Sequence, residues 1–220
     1  SWKTAHHIDR AGTFWDILRN RPFLTACLSL GMLTIAAGPF EAWAPTYLIR
    51  FRAMDPQEAG IVSGVMEGFV GILSVLFSGM ACDRMARRGL HWYFLTTAII
   101  FTVFFPASIL FFRAHDASSY FYFAAAMFAC GCYTAPLFAV GQTLLPQSLS
   151  GRGAAVMSLI LNILGIGVGD LLIGLISDFL GKNYGNDSLG YAIILLQPFG
   201  IAGIALLMLG ARYTRRAQCE

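Results

Sequence analysis

Three acidic residues stand inside long apolar stretches of this 220-residue chain: Glu41, Glu67 and Asp170. A charged side chain at the centre of a bilayer costs about 2.5–3.5 kcal/mol on insertion scales, so an acid in such a stretch is a functional candidate by default. Such carboxyl groups can carry protons or contact a polar solute. The same stretches also hold uncharged polar candidates, which are Asn162, Tyr133 and Gln142.

Glu67 is expected near the midplane of a bilayer. It lies eleven residues after Pro56, roughly 17 Å at 1.5 Å per residue. Its helix face is small and polar and suits close helix contact, a wet pathway or a docking partner; the face comprises Gly60, Ser63, Gly64, Gly71, Ser74 and Ser78. Glu67 is therefore interpreted as either a proton-coupling carboxylate or a structural acid bonded to a neighbouring helix.

Six apolar stretches must position these residues. The chain is 57% hydrophobic and only 12% charged, about half the charge density of a soluble domain. About 20 apolar residues span a bilayer, which predicts an all-α integral membrane protein with six transmembrane helices at about 22–49, 56–81, 92–112, 117–145, 153–180 and 188–211. Residues 1–21 are expected to form a cytoplasmic linker with a short amphipathic helix at 13–20, and residues 213–220 a cytoplasmic tail.

The basic residues predict the orientation of the six spans. Eleven of the fifteen Lys and Arg residues fall on the side that carries both chain ends, and four fall on the other side. Basic residues favour the cytoplasmic side of a membrane, so both termini are expected in the cytoplasm. An even number of spans requires the same arrangement.

Several function classes are excluded by the sequence. The net charge of +3 comes from basic residues scattered between apolar runs, which does not suit nucleic-acid binding. The five cysteines have neither zinc nor redox spacing and are expected to be apolar filler. Since no nucleophile, metal cluster or nucleotide loop is found, we expect neither an enzyme nor a cofactor.

The segment GMACDRMARR, residues 79–88, resembles the signature loop of the major facilitator superfamily. The matching residues are Gly79, Asp83, Arg84, Arg87 and Arg88, and the sequence departs from the pattern at Ala86, where the family usually has Gly. The resemblance implies a charge network on the cytoplasmic side that holds one conformation and breaks during transport. The alternative is that the arginines only mark topology.

An internal repeat agrees with this resemblance. The second span ends Gly79-x-x-x-Asp83 and the fifth ends Gly174-x-x-x-Asp178. Each pattern closes the middle helix of a three-helix set, and two such sets have opposite orientations. This is the inverted three-plus-three repeat of certain transporter halves.

Three further segments resemble the C-terminal half of spinster-like transporters: FEAWAPTYL at 40–48, QTLLP at 142–146 and NILGIGVGDLLIGLISD at 162–178. That subgroup is associated with sphingolipid and lysophospholipid export. The resemblance implies half of a twelve-helix fold, with an N-terminal six-helix half as partner. In this family the first and fourth helices of a half line the cavity, whereas the second and fifth face the other half.

The resemblance gives roles to the remaining candidates. Glu41 is expected either to contact solute or to be an interfacial charge at the outer gate, since it lies roughly 29 Å from Pro22. Asp170 is expected to hydrogen-bond between halves rather than to bind substrate. The predicted function is secondary transport of a small or amphipathic organic solute by alternating access, coupled to protons, with lysolipids and sphingolipids as candidate solutes. The alternatives are a permease for organic anions such as sugar acids and a six-span membrane scaffold without transport.

Overall fold

The computed structural model describes residues 20–114, 116 and 118–219, and every structural statement below concerns those residues. They form helices and no β-strand. Six helices are long and apolar enough to cross a membrane, which confirms the predicted all-α membrane fold. The linker helix expected at 13–20 lies almost wholly outside the described residues.

The six helices follow one another with short connections. They are α1 Arg21–Arg52, α2 Pro56–Ala86, α3 His91–Arg113, α4 Ser118–Thr143, α5 Gln147–Tyr184, and α6, which comprises Ser188–Leu195 and Gln197–Cys219. A 3-10 turn, Gly185–Asp187, joins α5 to α6. Helix α5 begins six residues earlier than the span expected from the sequence, because Gly151 and Gly153 are accommodated inside the helix.

Interruptions divide five of these helices. Turns break α3 at Phe105, α4 at Cys132 and α6 at Leu196, and a proline lies within four residues of each break. Proline lacks the N–H that would continue the helix ladder. Helices α2 and α5 contain wider π-helical turns instead, at Met66–Val70 and Leu161–Gly169.

Helix α1 lies at the centre of the bundle. It packs along α6, against the π-helical turns of α5 and against α4. Small residues allow these close approaches: a side chain at Gly165 would collide with Thr34, and one at Gly203 would collide with Leu33. Helices α2 and α5 are largely exposed, so the core of the fold lies around α1 rather than around the two helices that carry the repeated pattern.

Asn20 fixes the beginning of α1. Its side-chain oxygen accepts a hydrogen bond from the Phe23 N–H at 3.1 Å, and its amide donates to the Leu144 carbonyl at 2.9 Å. The first bond caps the helix. The second ties the start of α1 to the end of α4, and so joins the two three-helix sets at one end of the bundle.

Candidate functional site

The carboxyl groups of Glu41 on α1 and Glu67 on α2 meet at one depth of the bundle. Glu41 lies eleven residues before the end of α1 at Arg52, and Glu67 lies eleven residues after the start of α2 at Pro56. The two side chains lie close enough to interact with each other. Two ionised carboxylates at such a distance repel each other, so the site favours a proton between them.

The structure places Glu41 deeper than we expected from the sequence. Helix α1 continues to Arg52, so Glu41 lies roughly 17 Å below its outer end at 1.5 Å per residue. The side chain is half-buried and contacts a second acid. Glu41 thus lies beside a second acid on a neighbouring helix, and its two interpretations and those of Glu67 stay predictions.

The widened turns of α2 hold Glu67. Glu67 is the second residue of the π-helical segment Met66–Val70, and a side chain added at Gly68 or Gly71, in and beside that segment, would meet open space. A π-helical turn shifts the register of the residues around it and is frequent at functional sites. Glu67 is exposed, so one side of the carboxyl pair remains open on the uncovered face of α2.

Tyr133 and Cys130 lie behind the carboxyl pair. Tyr133 is only 3% exposed and bonds Thr34 on α1. The Cys130 thiol donates to the Ala37 carbonyl at 3.4 Å and lies near both acids. Tyr133 follows the break in α4 at Cys132, and its ring packs edge-on against Phe101 at 5.8 Å. Tyr133 therefore packs behind the carboxyl pair and does not line an open cavity.

Asp170 bonds within this half of the fold. It is the first residue of α5 after the π-helical segment, and the Trp43 indole N–H on α1 donates to its carboxylate. The other carboxylate oxygen is buried and has no partner among the described residues. Trp43 thus occupies part of the hydrogen-bonding capacity of the Asp170 carboxylate. From the sequence, that carboxylate is assigned to a contact between halves.

Asn162 and Gln142 are exposed, which leaves both available to a solute or a partner. The Asn162 amide also donates to the Ser158 carbonyl one turn earlier at 2.7 Å. Asn162 occupies the same position in α5 that Glu67 occupies in α2, twelve residues before the glycine of the repeated Gly-x-x-x-Asp pattern. Both π-helical segments begin thirteen residues before that glycine, which supports the inverted repeat.

The signature loop is closed by a tyrosine and a glycine. The Tyr93 hydroxyl on α3 donates to Asp83 at 2.5 Å, while Arg84, Arg87 and Arg88 are exposed. Helix α2 runs through Ala86, where the family pattern has Gly. The turn is made at Gly89 instead, whose φ of 139° favours glycine.

The serines on the small face of α2 pack inward. Ser63, Ser74 and Ser78 are buried, and Gly131 of α4 lies directly against Ser74. The apolar side chains of α2 are exposed instead, with Phe69 66% and Ile72 62% accessible. Gly60, Gly64 and Glu67 of the same face are exposed, so docking of a partner on the Glu67 face stays a prediction.

Sequence reasoning missed three residues of the site: Thr34, Trp43 and Cys130. Thr34 lies seven residues, two helical turns, before Glu41, so its face was available from the sequence. Cys130 was treated as filler because its spacing fits no metal or redox motif. Nothing in the sequence pairs Trp43 with Asp170, since that contact depends on how α1 packs against α5.

Comparison with known proteins gives the same fold. No family model matches the sequence. The chain is 32% identical over 209 residues to a protein of Mycolicibacterium smegmatis (strain ATCC 700084 / mc(2)155) described as an MFS-type efflux pump. That match covers 93% of this chain and 48% of the relative.

Two solved structures of a bacterial homologue of the human lysosomal transporter Spinster also match. The inward-facing unoccupied form has a TM-score of 0.79 at 15% identity and covers 98% of this chain and 53% of that one. The inward-facing occupied form has a TM-score of 0.76 at 15% identity, covering 90% and 50%. The chain thus spans about half the length of the relatives it matches, and the resemblance stated from its sequence is confirmed.

Proposed function

We propose that this chain, which has the fold of one six-helix half of a major facilitator superfamily transporter, forms half of a secondary transporter for which the Glu41–Glu67 pair carries the coupling proton. The observation that supports this most directly is the close approach of the two carboxyl groups. A proton shared by two carboxyl groups can be lost when the site opens to water, because each carboxylate is then free to ionise. Both acids belong to this half, and Glu67 is exposed on α2, so rocking of a second half against that face would change the access of water to the pair.

The solute that we propose is a small or amphipathic organic molecule, with lysolipids as the first class to test. Among the described residues, Lys and Arg lie near the helix ends, whereas the interior carries acids and amides. An organic anion such as a sugar acid would need a basic side chain in the solute cavity that the family resemblance implies. The similarity to a protein described as an efflux pump supports export of the solute, and the sequence resemblance to spinster-like transporters supports an amphipathic one. We further propose that both termini lie in the cytoplasm, from the distribution of basic residues.

The test is transport by the chain reconstituted together with a partner six-helix half. Fluorescent lysophosphatidylcholine and a radiolabelled sugar acid serve as solutes, with and without a pH gradient. We expect Glu67→Gln and Glu41→Gln each to abolish flux driven by the gradient and to leave solute exchange without a gradient intact. Glu58→Gln is the matched control, because Glu58 is an exposed acid at the beginning of the same helix.

Three other outcomes would exclude the carboxyl pair or favour an alternative function. Unchanged pH dependence in both glutamine variants would exclude the pair as the coupling site. Flux of the sugar acid alone would favour the anion permease. No flux of either solute, with or without the partner half, would favour the membrane scaffold.

A further inference from the structure

A pocket of about 430 Å³ opens between the beginning of α3 and the end of α6. We call it the basic pocket. Its lining combines two chemistries: basic side chains, which are Arg88, His91, Arg212 and Arg215, and apolar or aromatic ones, which are Trp92, Leu95, Met208 and Ala211. We call the first set its rim and the second its floor. Among the described residues that line it there is no carboxylate, so its local charge is strongly positive.

The other end of the same two helices provides a contrast. A pocket of about 440 Å³ lies there between the end of α3 and the beginning of α6. Arg113 and Asp187 both line it, so opposite charges offset each other. The accumulation of arginines is therefore specific to one end of the α3–α6 seam rather than a general property of its pockets.

The floor of the basic pocket continues into a surface suited to lipid chains. On α3, Ile99 and Val103 are 58% and 66% exposed, and Ile201 on α6 is 68% exposed. Trp92 stands between this surface and the arginines, and tryptophan is enriched where a bilayer meets water. The pocket thus presents charge at its rim and hydrocarbon below.

We propose that the basic pocket binds the headgroup of an anionic phospholipid from the surrounding bilayer. Arginine forms paired, charge-assisted hydrogen bonds with phosphate oxygens, and basic pockets between transmembrane helices suit anionic headgroups. The beginning of α3 at His91 adds the partial positive charge of a helix N-terminus. The acyl chains lie along Leu95 and Met208. These residues belong to α3, to α6 and, for Arg88, to the connection between α2 and α3, and none belongs to the carboxyl pair, so binding of a headgroup does not depend on the proposed proton site.

Tryptophan fluorescence in vesicles tests this proposal. The chain is reconstituted in phosphatidylcholine with a small fraction of lipid brominated on its acyl chains, either phosphatidylglycerol or phosphatidylcholine. The contribution of Trp92 is the difference between the chain and its Trp92→Phe variant. Each arginine near an anionic headgroup contributes roughly a five-fold preference, so we expect phosphatidylglycerol to quench Trp92 at a fraction at least about five-fold lower than phosphatidylcholine.

Two triple variants separate the pocket from the general charge of this end of the bundle. Replacing the three pocket arginines in R88Q/R212Q/R215Q is expected to abolish the preference. R84Q/R87Q/R216Q removes the same charge from three exposed arginines that do not line the pocket, and it is expected to keep the preference. Equal loss in both variants would contradict a specific site.

Three further results would overturn the proposal. Equal quenching by the two brominated lipids would exclude selection of an anionic headgroup. Release of brominated phosphatidylglycerol by millimolar inorganic phosphate would show a site for free phosphate rather than for lipid. Absence of Trp92 quenching by either lipid would show that a segment of protein fills the pocket.

Discussion

In the proposed function Glu41 and Glu67 share one proton, which would distinguish them from two independent acids. Replacing either one with glutamine supplies an amide that hydrogen-bonds the remaining carboxylate without needing that proton. We therefore expect the C=O stretching band of a protonated carboxylic acid in the infrared spectrum to lose the same intensity in Glu41→Gln and in Glu67→Gln.

The infrared measurement includes a control variant. Glu58→Gln removes an exposed acid from the same helix and is expected to leave the band unchanged. Equal retention of the band in both pair variants would mean that the pair does not hold the proton. A loss in only one variant would assign the proton to a single, independent carboxyl group.

The candidate site was predictable where it depends on residue type and not where it depends on packing. The rarity of acids in apolar stretches is enough to indicate Glu41, Glu67 and Asp170 as candidates. Their partners did not follow, because the contact between Glu41 and Glu67 depends on how α1 packs against α2. Tyr133 was a reasonable polar candidate, but its side chain, beside the break in α4, is buried in the core.

At the scale of the helices, close packing between α2 and α4 depends on Gly131. A Cβ atom there would collide with the Ser74 side chain, whereas one at Gly64 would meet nothing within 4 Å. We expect Gly131→Ala to lower the free energy of unfolding by about 1–3 kcal/mol, as overpacking does. Gly64→Ala is expected to be neutral or stabilising, because alanine favours helix more than glycine does.

Unfolding of the two variants in detergent micelles by increasing denaturant measures this difference. Restoring space with Ser74→Gly in the Gly131→Ala background is expected to recover part of the loss. Equal stability of Gly131→Ala and Gly64→Ala would show that α2 and α4 do not approach as closely as described.

The helices themselves followed from the sequence more completely than their ends. Runs of about 20 apolar residues are required by the thickness of a bilayer, so six spans could be counted directly. The π-helical turns could not, because Met66–Val70 and Leu161–Gly169 carry no composition that separates them from ordinary helix. The family pattern has a glycine where this chain has Ala86, and here the turn is made at Gly89 instead. The position of the turn therefore differs by three residues, whereas the charged residues keep the positions of the pattern.

At the scale of the whole molecule, the exposed apolar faces of α2 and α5 are where we expect a partner half to pack. Ile72 and Leu171 are 62% and 63% exposed on these faces, and Ile99 and Ile201 on the α3–α6 seam are exposed to similar extents. Cysteines placed at Ile72 and Leu171 should react with a maleimide in the isolated chain and become protected when a partner half is added.

Cysteines at Ile99 and Ile201 are the matched controls and should react equally with and without the partner. The native Cys27, Cys82, Cys130 and Cys132 are buried and give a low background, and Cys219 is replaced by serine. Protection of the seam residues instead of the α2 and α5 residues would place the partner on the opposite side of the bundle.

The bond from Asn20 to the Leu144 carbonyl has a mechanical consequence. Asn20 caps α1 and at the same time holds the end of α4, just ahead of the connection to α5. Tension applied to the chain before Asn20 would therefore load the junction between the two three-helix sets directly, instead of only unwinding the first turn of α1. Because the Asn20 amide joins the two three-helix sets, a force applied to the chain ahead of it would act on both sets at the same time.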